Sequence, residues 1–96
     1  MDVLKTKRNR TKVCSKGVNK LVHKLKILPE FFEAVCTGKK SFEIRKNDRN
    51  FQVGDKLLLQ EFIPETQEYT GRVVERRITY ITDFEQKENY VVMAIV

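Results

Sequence analysis

A chain of 96 residues with a formal net charge of +6 makes one small domain, in which a surface cleft is easier to build than a deep internal active site. Two cysteines and one histidine without close Cys/His spacing argue against a disulfide framework and against a structural zinc site, and no metal or cofactor is expected. No apolar run is long enough to span a membrane and the first residues lack the apolar core of a signal peptide, so the expected location is the cytoplasm, with no membrane contact.

The positive charge is unevenly placed. Residues 1–20 carry Lys5, Lys7, Arg8, Arg10, Lys12, Lys16 and Lys20 against Asp2 alone, while residues 21–96 hold twelve basic and twelve acidic side chains. With few large apolar groups and no sustained period, residues 1–20 read as a disordered basic arm, and residues 21–96 as a formally neutral domain. The arm can touch phosphates without sequence preference, or act only as a solubilising extension.

Leu21 to Leu28 alternates, with Leu21, His23, Leu25 and Ile27 on one face, which predicts a half-buried first strand. Pro29 suits the first turn of a helix and Glu30 and Glu33 favour its positive end, so a short helix is expected over about Pro29 to Thr37, stopped by Gly38. Its apolar face includes Cys36, expected to be buried, with Cys14 exposed in the arm. Gly38 to Arg45 follows as a turn and second strand, in which Phe42 and Ile44 should face the core and Ser41, Glu43 and Arg45 the other side. Lys46-Asn47-Asp48-Arg49-Asn50 reads as a loop, and Val53-Gly54-Asp55 as a tight turn into a central third strand from Lys56 to Ile63. Pro64 to Gly71 is read as the hairpin turn, about Arg72 to Thr82 as a long bent strand serving two parts of a barrel, and Tyr90 to Val96 as an interior last strand. The economical packing is α+β: a mostly antiparallel sheet of five short strands curled to hide its edges, with one helix between strands one and two.

Gly38-x-Lys40-x-x-Glu43-x-Arg45, directly after a helix and opening a strand, resembles the signature of the ASCH superfamily, whose small β-barrel is similar to the PUA domain of RNA-modifying proteins. The likeness is closer still to a small, uncharacterised ASCH-like subfamily of bacteria and their phages. It runs through Lys26-Ile27-Leu28-Pro29-Glu30, Gly38 to Arg49, Val53-Gly54-Asp55, Tyr69-Thr70-Gly71 and Tyr90-Val91-Val92. The resemblance implies a PUA-like barrel and a cleft between helix and barrel that binds RNA or a nucleotide. Some small relatives hydrolyse the acetyl amide of N4-acetylcytidine with a lysine, a threonine and a distant glutamate. Lys40 matches that lysine; Glu43 stands in the threonine's place, and Glu85 and Glu88 are the nearest candidates for the third group.

From the residues themselves, Arg45 offers a fork for a phosphate or carboxylate, Lys40 a point charge for the same anion, and Glu43 an acceptor for an amino group or a partner for Arg45. Lys40 and Glu43 point to opposite faces of a regular strand, so they converge only if Lys40 belongs to the turn after Gly38 or a bulge intervenes. Three readings result. The first is a module that binds RNA or a nucleotide through Lys40, Glu43 and Arg45, with Lys46, Asn47, Asp48, Arg49 and His23 as further contacts and the arm adding phosphate contacts. The second is a hydrolase acting on a modified nucleoside or RNA, amidohydrolase- or ribonuclease-like, with Lys40 and Glu43 catalytic. The third is a phage or bacterial protein-interaction domain using a strand edge.

Overall fold

The computed structural model describes residues 21–96; the basic arm and Cys14 lie outside them. The elements in order are β1 (Val22–Ile27), α1 (Pro29–Cys36), β2 (Phe42–Lys46), β3 (Lys56–Ile63), β4 (Glu68–Thr82) and β5 (Tyr90–Ile95). This is a small α+β domain with a mixed five-stranded sheet and one helix. Among the described residues, no helix is long and apolar enough to cross a membrane.

β1 buries His23, Leu25 and Ile27 and exposes the residues between them, as its alternation demands. α1 starts at Pro29, where the missing N–H costs no helical bond, and turns Phe32 and Val35 into the core. It ends where Thr37 donates its N–H to the Glu33 carbonyl at 3.0 Å and Gly38 donates to Val35 at 3.1 Å. Gly38 has φ +81°, and a Cβ there would meet nothing within 4 Å, so it is the left-handed backbone rather than lack of space that favours glycine. Cys36 is exposed, not buried as expected; Phe32 and Val35 set the inward stripe, and Cys36, one position past Val35, falls about 100° around the helix from it.

The sheet order is β1-β3-β4-β5-β2, with β1 and β3 parallel and the other pairs antiparallel. The first part of β4 pairs with β3, from Ile63↔Glu68 to Lys56↔Arg77, and its last part pairs with β5, from Ile78↔Ile95 to Thr82↔Val92. One strand therefore serves two neighbours, bending at a register shift between Ile78 and Tyr80. The expected turn over Pro64 to Gly71 is shorter than predicted: Glu68 to Gly71 already belong to β4, and Gln67, at φ +59°, closes the turn. Turn-type composition misled because Gly71 takes its positive φ inside the strand. Leu57, Leu59, Ile78 and Met93 are fully buried in one core cluster, to which Phe32 and Val35 of α1 also belong.

β1 and β2 stand at the two ends of the pairing order, so the sheet is not closed into a barrel. Side chains occupy the place a ladder would take. Arg45 Nη2 donates to the Lys26 carbonyl at 2.6 Å and Arg49 Nη1 donates to the Lys24 carbonyl at 2.8 Å. Two outward carbonyls of β1 are thereby satisfied by guanidinium groups rather than by strand N–H groups.

Candidate functional site

Lys40 precedes β2, in the turn that Gly38 opens, and its backbone N–H donates to the Ala34 carbonyl at 2.9 Å. The odd spacing from Glu43 is therefore no obstacle: Lys40 is not yet in the strand and reaches back over it. Lys40 Nζ donates to Glu43 Oε1 and, at 2.7 Å, to the Phe42 carbonyl. Arg45 Nε donates to Glu43 Oε2 at 2.8 Å. One carboxylate is held between two cations on a turn and a strand.

Glu43 is only 3% exposed, while Phe42 and Ile44 are 43% and 51% exposed. The face assignment of β2 is thus the reverse of the one expected. Burying a carboxylate costs several kcal/mol unless it is paired and hydrogen-bonded, and Lys40 and Arg45 meet that requirement at both oxygens. The apolar Phe42 and Ile44 instead border a cavity of about 640 Å³, which Lys40, Glu43 and Arg45 also line. Its opposite wall comes from β1 and α1, through Ile27, Leu28, Phe31 and Ala34. The size is that of a small-ligand site, apolar with a few converging polar groups.

The other expected contacts fall elsewhere. Lys46, Asn47, Asp48 and Arg49 do not line the cavity. Asn47 fixes the loop: its N–H donates to Asn89 at 2.6 Å, and its Oδ1 accepts from Phe51 N at 3.0 Å. Asp48 is exposed and donates its N–H to Lys46, and Arg49 holds β1. His23 sits three residues before Lys26, roughly 10 Å along β1, and is buried against Asp55: its Nε2 lies 2.8 Å from Asp55 Oδ2, and its ring meets Phe51 edge-on at 4.7 Å. Asp55, 1% exposed, also accepts from Leu21 N at 3.2 Å and Gln52 N at 3.1 Å. These are structural bonds that pin the start of β1 to the turn before β3. Glu85 and Glu88 are exposed in the loop between β4 and β5 and do not reach the cavity.

A second polar cluster, absent from the sequence reading, joins the hairpin to α1. The buried Glu61 accepts from Thr70 Oγ1 at 2.6 Å and from Arg72 Nε at 2.9 Å, and Arg72 Nη2 also donates to Glu33 Oε2 at 2.7 Å. Hydrogen bonds from Arg72 and then Thr70 hold the Glu61 carboxyl below its ordinary value against the opposing effect of burial, and Glu61 and Glu33 raise the Arg72 guanidinium further. A carboxylate so engaged is a poor base. Its signal in the sequence was the period of β3: Glu61 follows Leu57 and Leu59 onto the inward face, where it needs a cation. Among the described residues, no group of three or more His, Cys, Asp or Glu side chains is placed to hold a metal ion.

Residues of this chain are 42% identical over 73 positions to a protein of Escherichia phage P2 described as "Uncharacterized 12.9 kDa protein in GpA 3'region". That alignment covers 75% of this chain and 65% of the phage protein, so the chain spans just under two thirds of its relative's length. The turn, strand and cleft described above all lie within residues 22–95, the part matched by the model of a family described as a domain of unknown function (DUF3850), and the chain belongs to that family.

Proposed function

We propose that the domain is an RNA- or nucleotide-binding module of the ASCH, PUA-like kind, acting in the cytoplasm, with the cavity between α1, β1 and β2 as its cleft. The curled sheet, its edges bridged by Arg45 and Arg49, is on this reading an opened form of the small PUA-like barrel. The observation that carries the proposal is the convergence of Lys40, Glu43 and Arg45 on one wall of a concave cavity of about 640 Å³. Formal neutrality of residues 21–96 favours a small ligand or a short single-stranded segment over a broad phosphate groove. Residues 1–20 add phosphate contacts without sequence preference. Anisotropy titration of a labelled single-stranded RNA tests this: Lys40→Gln should weaken binding, and deletion of residues 1–20 should flatten its salt dependence. Binding that is indifferent to Lys40→Gln overturns the cleft assignment.

A hydrolase acting on a modified nucleoside is the second reading, favoured by the hydrogen-bonded Lys40–Glu43 pair on the cavity wall. It ranks behind because both Glu43 oxygens already accept from cations, which leaves the carboxylate ill placed to activate water. Turnover of an acetylated nucleoside that disappears in Lys40→Gln would reverse this order.

A further inference from the structure

The cleft carries two features beyond the pairing within the charged triad: a pair of rings over which Lys40 Nζ lies, and a spare Lys40 donor. Phe31 on α1 and Phe42 on β2 both line the cavity yet stay 41% and 43% exposed. Their ring centroids lie 5.7 and 4.9 Å from Lys40 Nζ. Two large rings left open around one polar point are apolar area that a ligand would cover at a gain. Lys40 also keeps a donor: its ammonium has three N–H groups, of which the Phe42 carbonyl and Glu43 Oε1 take two.

The triad is a weak place for phosphate. Glu43 sits between Lys40 and Arg45, so an incoming anion would meet two cations already engaged by a carboxylate. Lys39 differs: it is an exposed lysine on the cavity wall and, among the described residues, makes no ion pair or side-chain hydrogen bond. Charge on the cavity wall is thus compensated among Lys40, Glu43 and Arg45 and uncompensated at Lys39.

We infer that, given the RNA reading above, the cleft takes an unpaired base rather than a phosphate: the base lies against Phe31 and Phe42, a base carbonyl oxygen accepts the remaining Lys40 N–H, and the phosphate rests outside on Lys39. Uracil, guanine and cytosine carry such an oxygen, and adenine does not. Stacking is sequence-tolerant and contributes only where bases are splayed from a helix, so the ligand is single-stranded.

The test compares labelled octauridylate with an abasic octamer of the same backbone, both titrated against the full chain. The ratio of the two Kd values cancels phosphate contacts common to both, including any from residues 1–20. Wild-type protein should bind the base-bearing strand at least about fivefold more tightly. Phe31→Ala and Phe42→Ala should each bring that ratio towards one without changing the salt slope, and Phe42→Leu, which keeps apolar bulk at the site, should act in the same direction. Lys39→Gln should lower the salt slope by about one and leave the ratio alone. A wild-type ratio near one, or a ratio untouched by both phenylalanine variants, overturns the inference while the RNA reading is still decided by Lys40→Gln. Binding of neither octamer overturns both.

Discussion

Arg45 joins two strand edges that have no backbone pairing: from β2 its Nη2 reaches the Lys26 carbonyl of β1 at 2.6 Å, while its Nε holds Glu43 at 2.8 Å. One side chain therefore spans the seam of the sheet and satisfies the buried carboxylate beside the cavity. Fold and cleft share a residue, and its planar fork can serve both partners where a point charge serves one.

Replacing Arg45 should accordingly cost stability as well as alter the cleft. Arg45→Met leaves Glu43 with Lys40 as its single cation and the Lys26 carbonyl without its donor, for a loss of about 1–3 kcal/mol. In a domain of this size that is a fall in Tm of several degrees. Arg45→Lys should recover only part of it. Thermal melts of the three proteins provide the check, and a Tm equal to wild type in Arg45→Met would show that the seam does not depend on this side chain.

Glu43 compensates its two neighbours, which makes its charge separable from its shape. Glu43→Gln keeps the side-chain volume but leaves Lys40 and Arg45 as two cations without a counter-charge on the cavity wall. RNA binding should then become steeper in salt, because phosphates can reach charges that were previously engaged. The slope of log Kd against log salt measures this. An unchanged slope would place Lys40 and Arg45 out of reach of phosphate in either form.

Much of the fold was legible because it rests on period and punctuation. The alternation of Val22 to Ile27, Pro29 at the start of α1 and Gly38 after its end each reflect a local backbone requirement. The convergence of Lys40, Glu43 and Arg45 was also legible, conditional on Lys40 lying in the turn. What failed was direction. Apolar periodicity assigned Phe42 and Ile44 to the core, but pairing by Lys40 and Arg45 lets Glu43 take the inward position, and Phe42 and Ile44 border the open cavity instead. Nor could local pattern show that Arg49 reaches the Lys24 carbonyl or that Arg72 meets Glu61, since both contacts depend on how distant strands are brought together.

His23 and Asp55 illustrate a buried polar pair whose role is to hold the domain. Asp55→Ala would leave the buried His23 Nε2 and the part-buried N–H groups of Leu21 and Gln52 without their acceptor. The loss should be about 3 kcal/mol or more, and Asp55→Asn should be milder because one oxygen remains. Denaturant melts give the comparison. RNA affinity of the folded Asp55→Asn protein should match wild type, since His23 and Asp55 do not line the cavity; a change in affinity would return His23 to the ligand site.

The Glu61 and Arg72 pair sets an acid limit on stability. Hydrogen bonds from Arg72 and Thr70 lower the folded Glu61 carboxyl below its ordinary value of 4.5, so the unfolded chain binds the proton first as acid is added. The stabilisation is therefore complete above about pH 4.5 and is lost as pH falls through the lower, folded value. Arg72→Gln removes the largest cause of that lowering. The variant should be less stable than wild type near neutrality, and the gap between the two should narrow on going from about pH 6 to about pH 3. Tm measured across that range tests the assignment, and two parallel curves would mean that Arg72 does not set the ionisation of Glu61.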